Sequence, residues 1–156
     1  MQQLWIKTLL AILILFFTSL SFAEENESVG ITTEECQVIE INYSNASNQF
    51  LQLAIAMANQ LETSSKHKKF KATLAANIAT LQNDKSYPII KAIYKSLKEK
   101  APDSVQSFLK QMKDQVDSMS TRVDQWKASN TTLTNNNSCR DYYGCLLGTK
   151  TTCTGS

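Results

Sequence analysis

The chain has 156 residues, with sixteen Lys or Arg against fourteen Asp or Glu, four cysteines and a single histidine. That length leaves room for one domain with its own core. One histidine, and no Cys-x-x-Cys, His-x-x-x-His, Gly-rich phosphate loop or calcium-loop spacing, supply no constellation for catalysis or metal binding, so a non-enzymatic protein without a cofactor is expected.

The first element is MQQLWIKTLLAILILFFTSLSFA. Lys7 precedes an apolar run from Leu9 to Phe17, and Ser21-Phe22-Ala23 makes a small-x-small cleavage site. Residues 1–23 therefore read as a signal peptide, too short in its apolar core for the roughly 20 residues of a membrane span. The product is expected to be secreted, or periplasmic if the source is a Gram-negative bacterium. Asn-x-Ser/Thr triplets begin at Asn26, Asn42, Asn45, Asn130 and Asn136 and would accept glycans only in a eukaryotic export pathway. Residues 24–31 are acidic and without period, a flexible lead-in.

Helical structure is expected from Thr32, which forms a capping box with Glu35. Cys36, Ile39, Tyr43, Ala46, Phe50, Leu53 and Met57 recur at steps of three and four, the spacing of one helix face. NYSNASN, residues 42–48, brings short polar side chains that compete for backbone hydrogen bonds. The first helix thus either runs whole to about Leu61 or breaks near Ser44. FLQLAIAMA, residues 50–58, is apolar on nearly every side and marks the most buried segment.

FKATLAANIATL then sets Phe70, Leu74, Ile78 and Leu81 on one stripe, with serines of the preceding ETSSK available as caps. YPIIKAIYKSLKEK aligns Ile90, Ile93, Tyr94 and Leu97 and carries Pro88 in its first turn, where a missing N–H does no harm. Pro102 and Asp103 close this helix and open a fourth, expected to reach about Ala128. Four helices, short loops and no alternating strand pattern predict an all-α fold: an antiparallel bundle of about four helices over 32–129.

The fourth helix contains VQSFLKQMKDQVDSMSTRVDQW, residues 105–126, a heptad seam with Leu109, Val116 and Val123 at a, and Val105, Met112, Met119 and Trp126 at d. Its flanks, Gln106, Lys113, Ser120, Lys127, Phe108, Gln115 and Arg122, offer no acid to pair across a symmetric dimer. The seam is therefore expected to face FLQLAIAMA of the same chain, and the protein to be a monomer. Residues 130–156 read as a polar linker and a Cys-rich tail without a helical or strand period. In an oxidising compartment Cys36, Cys139, Cys145 and Cys153 are expected to form two disulfides, one of them from Cys36 to the tail as a clasp, with the connectivity left open. Beside them, Tyr142, Tyr143, Leu146 and Leu147 fit either a binding knob for a protein partner or a cover over the open end of the bundle.

Charge is distributed by segment. Residues 24–62 hold seven acids and no Lys or Arg, residues 63–113 hold eleven Lys and three acids, and the remainder balances four against four. KHKKFK contributes Lys66, Lys68, Lys69 and Lys71, while Lys91, Lys95 and Lys98 line one helix face away from Ile90, Ile93 and Leu97. Such lysines suit an anionic surface, but without the guanidinium fork no specific nucleic-acid recognition is expected. His67, set among lysines, reads as an exposed helix-start residue. Two functions follow: a secreted binding or effector module presenting the basic face or the Tyr-rich tail, or a carrier enclosing a lipid or fatty acid. The carrier would use the small residues of AIAMA and the adaptable Met57, Met112 and Met119 as its lining.

Overall fold

The structure, a computed structural model, describes residues 33–129 and 144–148. The expected signal peptide, the lead-in, Thr32, the linker, Cys139, Tyr142, Tyr143 and Cys153 lie outside the described residues. Four helices follow one another: α1 (Thr33–Leu61), α2 (Lys68–Asn83), α3 (Tyr87–Lys100) and α4 (Gln106–Ser129), with a 3-10 turn, Asp103–Val105, leading into α4. No described residue lies in a strand, and no described helix is long and apolar enough to cross a membrane.

α1 runs unbroken through NYSNASN, which settles the alternative left open by its polar composition. Tyr43, Ala46, Ser47 and Phe50 are all buried on the core side of this stretch, so tertiary packing outweighs weak intrinsic propensity. The buried Ser47 hydroxyl also finds an acceptor without disturbing the helix, donating to the Ser44 carbonyl at 3.0 Å.

α2 begins two residues before Phe70, and its start corrects one expectation. No serine caps it. His67 occupies the N-cap with φ 62 and ψ 35, a left-handed conformation, and provides no side-chain cap. Ser64 instead accepts from the Lys66 N–H at 3.2 Å, closing a turn inside the loop. At the far end the Asp84 carboxylate accepts the Ser86 N–H at 2.8 Å, and the Tyr43 hydroxyl donates to the Lys85 carbonyl at 2.8 Å. The α2–α3 turn is thus pinned to the middle of α1, which fixes α2 antiparallel to it. Pro88 stands in the first turn of α3, as its missing N–H allows.

α4 descends beside α1, held at its top where the Gln60 amide donates to the Ser104 carbonyl at 2.8 Å. These two helices share the most extensive contact of any pair; α2 packs on α1, α3 packs on α4, and α2 meets α3. α1 and α3 therefore occupy one diagonal of the bundle, α2 and α4 the other. All seven seam residues of 105–126 are buried in one cluster with Phe50, Ala54 and Met57. Leu146 joins this cluster at 8% exposure. It belongs to a short helical turn, 144–146, that lies near the start of α3: a Cβ at Gly148 would stand 4.0 Å from Pro88 Cγ.

Replacing Tyr43 by Phe keeps the ring but leaves the Lys85 carbonyl without its donor, and is expected to lower stability by about 1 kcal/mol. Met57→Ala, at a position with no exposure, is expected to cost about 2–5 kcal/mol. Urea-unfolding midpoints at constant slope measure both; a Tyr43→Phe midpoint equal to the parent's would remove the pin from the account.

Candidate functional site

On α3, Ile90, Ile93 and Leu97 turn into the core, and the 3.6-residue repeat carries Lys91, Lys95 and Lys98 together on one outer flank. All three are exposed. Tyr87 and Tyr94 occupy the inner edge of that flank, partly buried and packed against the core. The Lys91 ammonium stands 5.1 Å from the centroid of the Tyr87 ring, where the ring's quadrupole attracts a cation. Lys98 and Lys100 lie in the last turn of α3, the end at which the helix dipole favours positive charge.

Lys113 lies on the neighbouring α4. Its pKa is raised above the ordinary lysine value, first by the hydrogen bond to Asp117, then by that carboxylate's charge, with further contributions from Tyr94 and Asp114. Tyr94 of α3 is thus near enough to Lys113 of α4 to interact with its charge, in keeping with the packing of these two helices. Lys110, exposed and one turn before Lys113, shares the facing flank of α4. Lys113 is neutralised by Asp117 in an i,i+4 pair whose side chains are both more than half exposed. Because its pKa is raised, any stability from this pair is complete below the ordinary lysine value and is lost as pH rises through the raised one.

Reading the sequence helix by helix left Lys110 unnamed and placed Lys113 only as a flank of the seam. Their signal was present, since Lys113 flanks the seam and Lys110 lies one turn before it. Among the described residues, none of Lys66, Lys68, Lys69, Lys91, Lys95, Lys98 and Lys110 forms an ion pair.

Lys66, Lys68 and Lys69 stand exposed in the α1–α2 loop and the first turn of α2. Lys71 has a separate task. It is half-buried, and its ammonium donates to the carbonyls of Glu62 at 3.1 Å and Ser64 at 2.9 Å. α1 has no basic residue in its last turn, so Lys71 of α2 supplies the cation that the carbonyl end of α1 favours. His67 is exposed at its N-cap position.

Met57, Met112 and Met119 are each without exposure and belong to the one bundle core, at different levels along it. Two open recesses elsewhere are not lined by them: one of about 260 Å³ among Ala58, Asn59, Glu62, Lys71 and Leu74, and one of about 380 Å³ along α1 among Gln37, Glu40, Ile41, Ser44 and Asn45. In the tail, Leu146 is buried and Leu147 partly buried against the core. Cys36 is 4% exposed in the first turn of α1, and neither it nor Cys145 is a free thiol. Comparison with protein-family models, with curated proteins and with solved structures returned no match to this chain.

Lys71→Met is expected to destabilise the fold by about 1 kcal/mol, because two carbonyls lose a charged donor. Lys69→Met, at an exposed position with no partner, should stay within about 0.5 kcal/mol of the parent. Paired thermal or urea melts compare them, and equal effects from the two would show that Lys71 does not anchor the end of α1.

Proposed function

We propose that this protein is a secreted, non-enzymatic binding module that presents the α3–α4 lysine flank to an anionic partner, with its C-terminal segment fastened to the bundle as a disulfide clasp. Export rests on the leader-like residues 1–23. The binding reading is carried by one observation: Lys91, Lys95, Lys98 and Lys110 are exposed, aligned and unneutralised. Like charges gathered within a few turns repel and add nothing to folding. Glu99 and Asp114 stand one turn from Lys95 and Lys110, yet neither closes an ion pair with them, unlike Asp117 with Lys113.

The measurement is retention on an anionic matrix against a neutral one, across a salt gradient. The triple variant Lys91→Gln, Lys95→Gln, Lys98→Gln is expected to elute at distinctly lower salt with an unchanged unfolding midpoint. Lys66→Gln, Lys68→Gln, Lys69→Gln should elute close to the parent. If the α3 triple variant co-elutes with the parent, the flank does not bind.

The clasp is supported by the burial of Cys36, by the absence of a free thiol at Cys36 or Cys145, and by the entry of Leu146 into the core directly after Cys145. Closing a loop of about 100 residues is worth roughly 4–5 kcal/mol in the chain-entropy model. Non-reducing peptide mapping is expected to find the Cys36 peptide joined to a tail peptide, and Cys36→Ser to lower the unfolding free energy from urea melts by about 2–5 kcal/mol. A Cys36 peptide that migrates alone would remove the clasp.

A further inference from the structure

We infer that the ligand of the α3–α4 flank is a linear sulfated polysaccharide, an assignment that rests on reading this flank as an anion-binding surface. The shape of the charge comes first. Lys91, Lys95 and Lys98 form a row about 10 Å long, seven residues at 1.5 Å each, and Lys110 stands on the neighbouring helix. A row of spaced cations along one helix, beside a second helix that carries another, matches an extended chain of anions better than a single compact one.

Two other anionic partners require features that this flank lacks. A bilayer-seated helix buries large apolar side chains among the acyl chains beside its lysines. The exposed large hydrophobics of the described residues are Val38 and Ile41, and both are on α1, diagonal to α3. Single-stranded nucleic acid is held by bases stacked on open aromatic faces between the cations. Here Tyr87 and Tyr94 pack against the core, and the Tyr87 ring already carries the Lys91 ammonium. Nor is there an arginine on either bank to grip phosphate through two parallel hydrogen bonds. What remains is recognition by spaced point charges alone, which a sulfated sugar chain satisfies through its regularly placed sulfates. The Lys91–Tyr87 contact then has a role: it holds one ammonium of the row in place before the ligand arrives.

The test uses the full chain produced in an oxidising secretory compartment. Fluorescent heparin oligosaccharides are titrated with protein beside three comparison probes: the same oligosaccharides with sulfates removed, vesicles of phosphatidylserine and phosphatidylcholine, and an oligothymidine of equal charge. The expected result is salt-sensitive binding that favours the sulfated chain over all three. The α3 triple Gln variant should lose roughly tenfold or more in affinity while melting like the parent, and Tyr87→Leu should lose a smaller factor. Comparable binding to all charged probes, ordered only by their charge, would overturn the polysaccharide assignment and leave the anion-binding flank standing. Binding to no charged probe would overturn both. Sulfated-chain binding lost in the Lys66, Lys68, Lys69 variant but kept in the α3 variant would overturn the location.

Discussion

Burial of the α4 seam against α1 is the contact on which the other elements are assembled. Neither helix can exist alone with its stripe in water: Met112, Met119 and Val123 on one side, and Phe50, Ala54 and Met57 on the other, are all essentially without exposure. Fully burying each large side chain of this kind contributes about 1.5–3 kcal/mol. The pair presents α2 and α3 with an apolar trough, into which each shorter helix places three buried side chains.

Two polar joints then fix how the shorter hairpin is laid down. The Tyr43 phenol holds the turn after α2, and the Lys71 ammonium holds the turn before it. Both bind backbone carbonyls rather than side chains, so they specify position along the axis without constraining which residues occupy the loops. Together they set the register of α2 against α1, a quantity that apolar packing leaves loosely determined because neighbouring turns offer similar surfaces. With α2 and α3 placed in this way, the lysines of α3 are carried outward beside α4.

The helices themselves were legible because their periodicity is strong and Pro88 and Pro102 punctuate them. The inward direction of the α4 seam was legible too, from flanks that could not pair with a copy of themselves. What sequence could not decide lay where local and tertiary preferences compete. NYSNASN is poor helix on propensity, and only the burial of Tyr43, Ala46 and Ser47 in a completed bundle makes it continuous. The start of α2 was misjudged for the opposite reason: serines suited to capping were present, but the chain turns at His67 instead. For the candidate site, the alignment of Lys91, Lys95 and Lys98 followed from helical spacing alone. That Lys71 is a structural joint, and that Lys110 stands opposite the row, depend on which helices are neighbours, and spacing within one helix carries no such information.

One dimension of the bundle remains consequential. The turn after α2 is fixed at the level of Tyr43, so the ten α1 residues that precede it project about 15 Å farther, accompanied by the last turns of α4. Cys36, Ile39 and Trp126 lie in that projection and are nonetheless buried, below the point where α2 and α3 end. Two helices in contact shield only the sides they turn to each other. The remaining side has a candidate occupant in Leu146, which arrives from a part of the chain that looks, by composition, like an appendage. The cooperative unit of this protein therefore does not coincide with its run of helices. Substitutions at Leu146 and Leu147 will register as changes in core stability, so this short turn is restrained by a packing site as well as by any partner it meets.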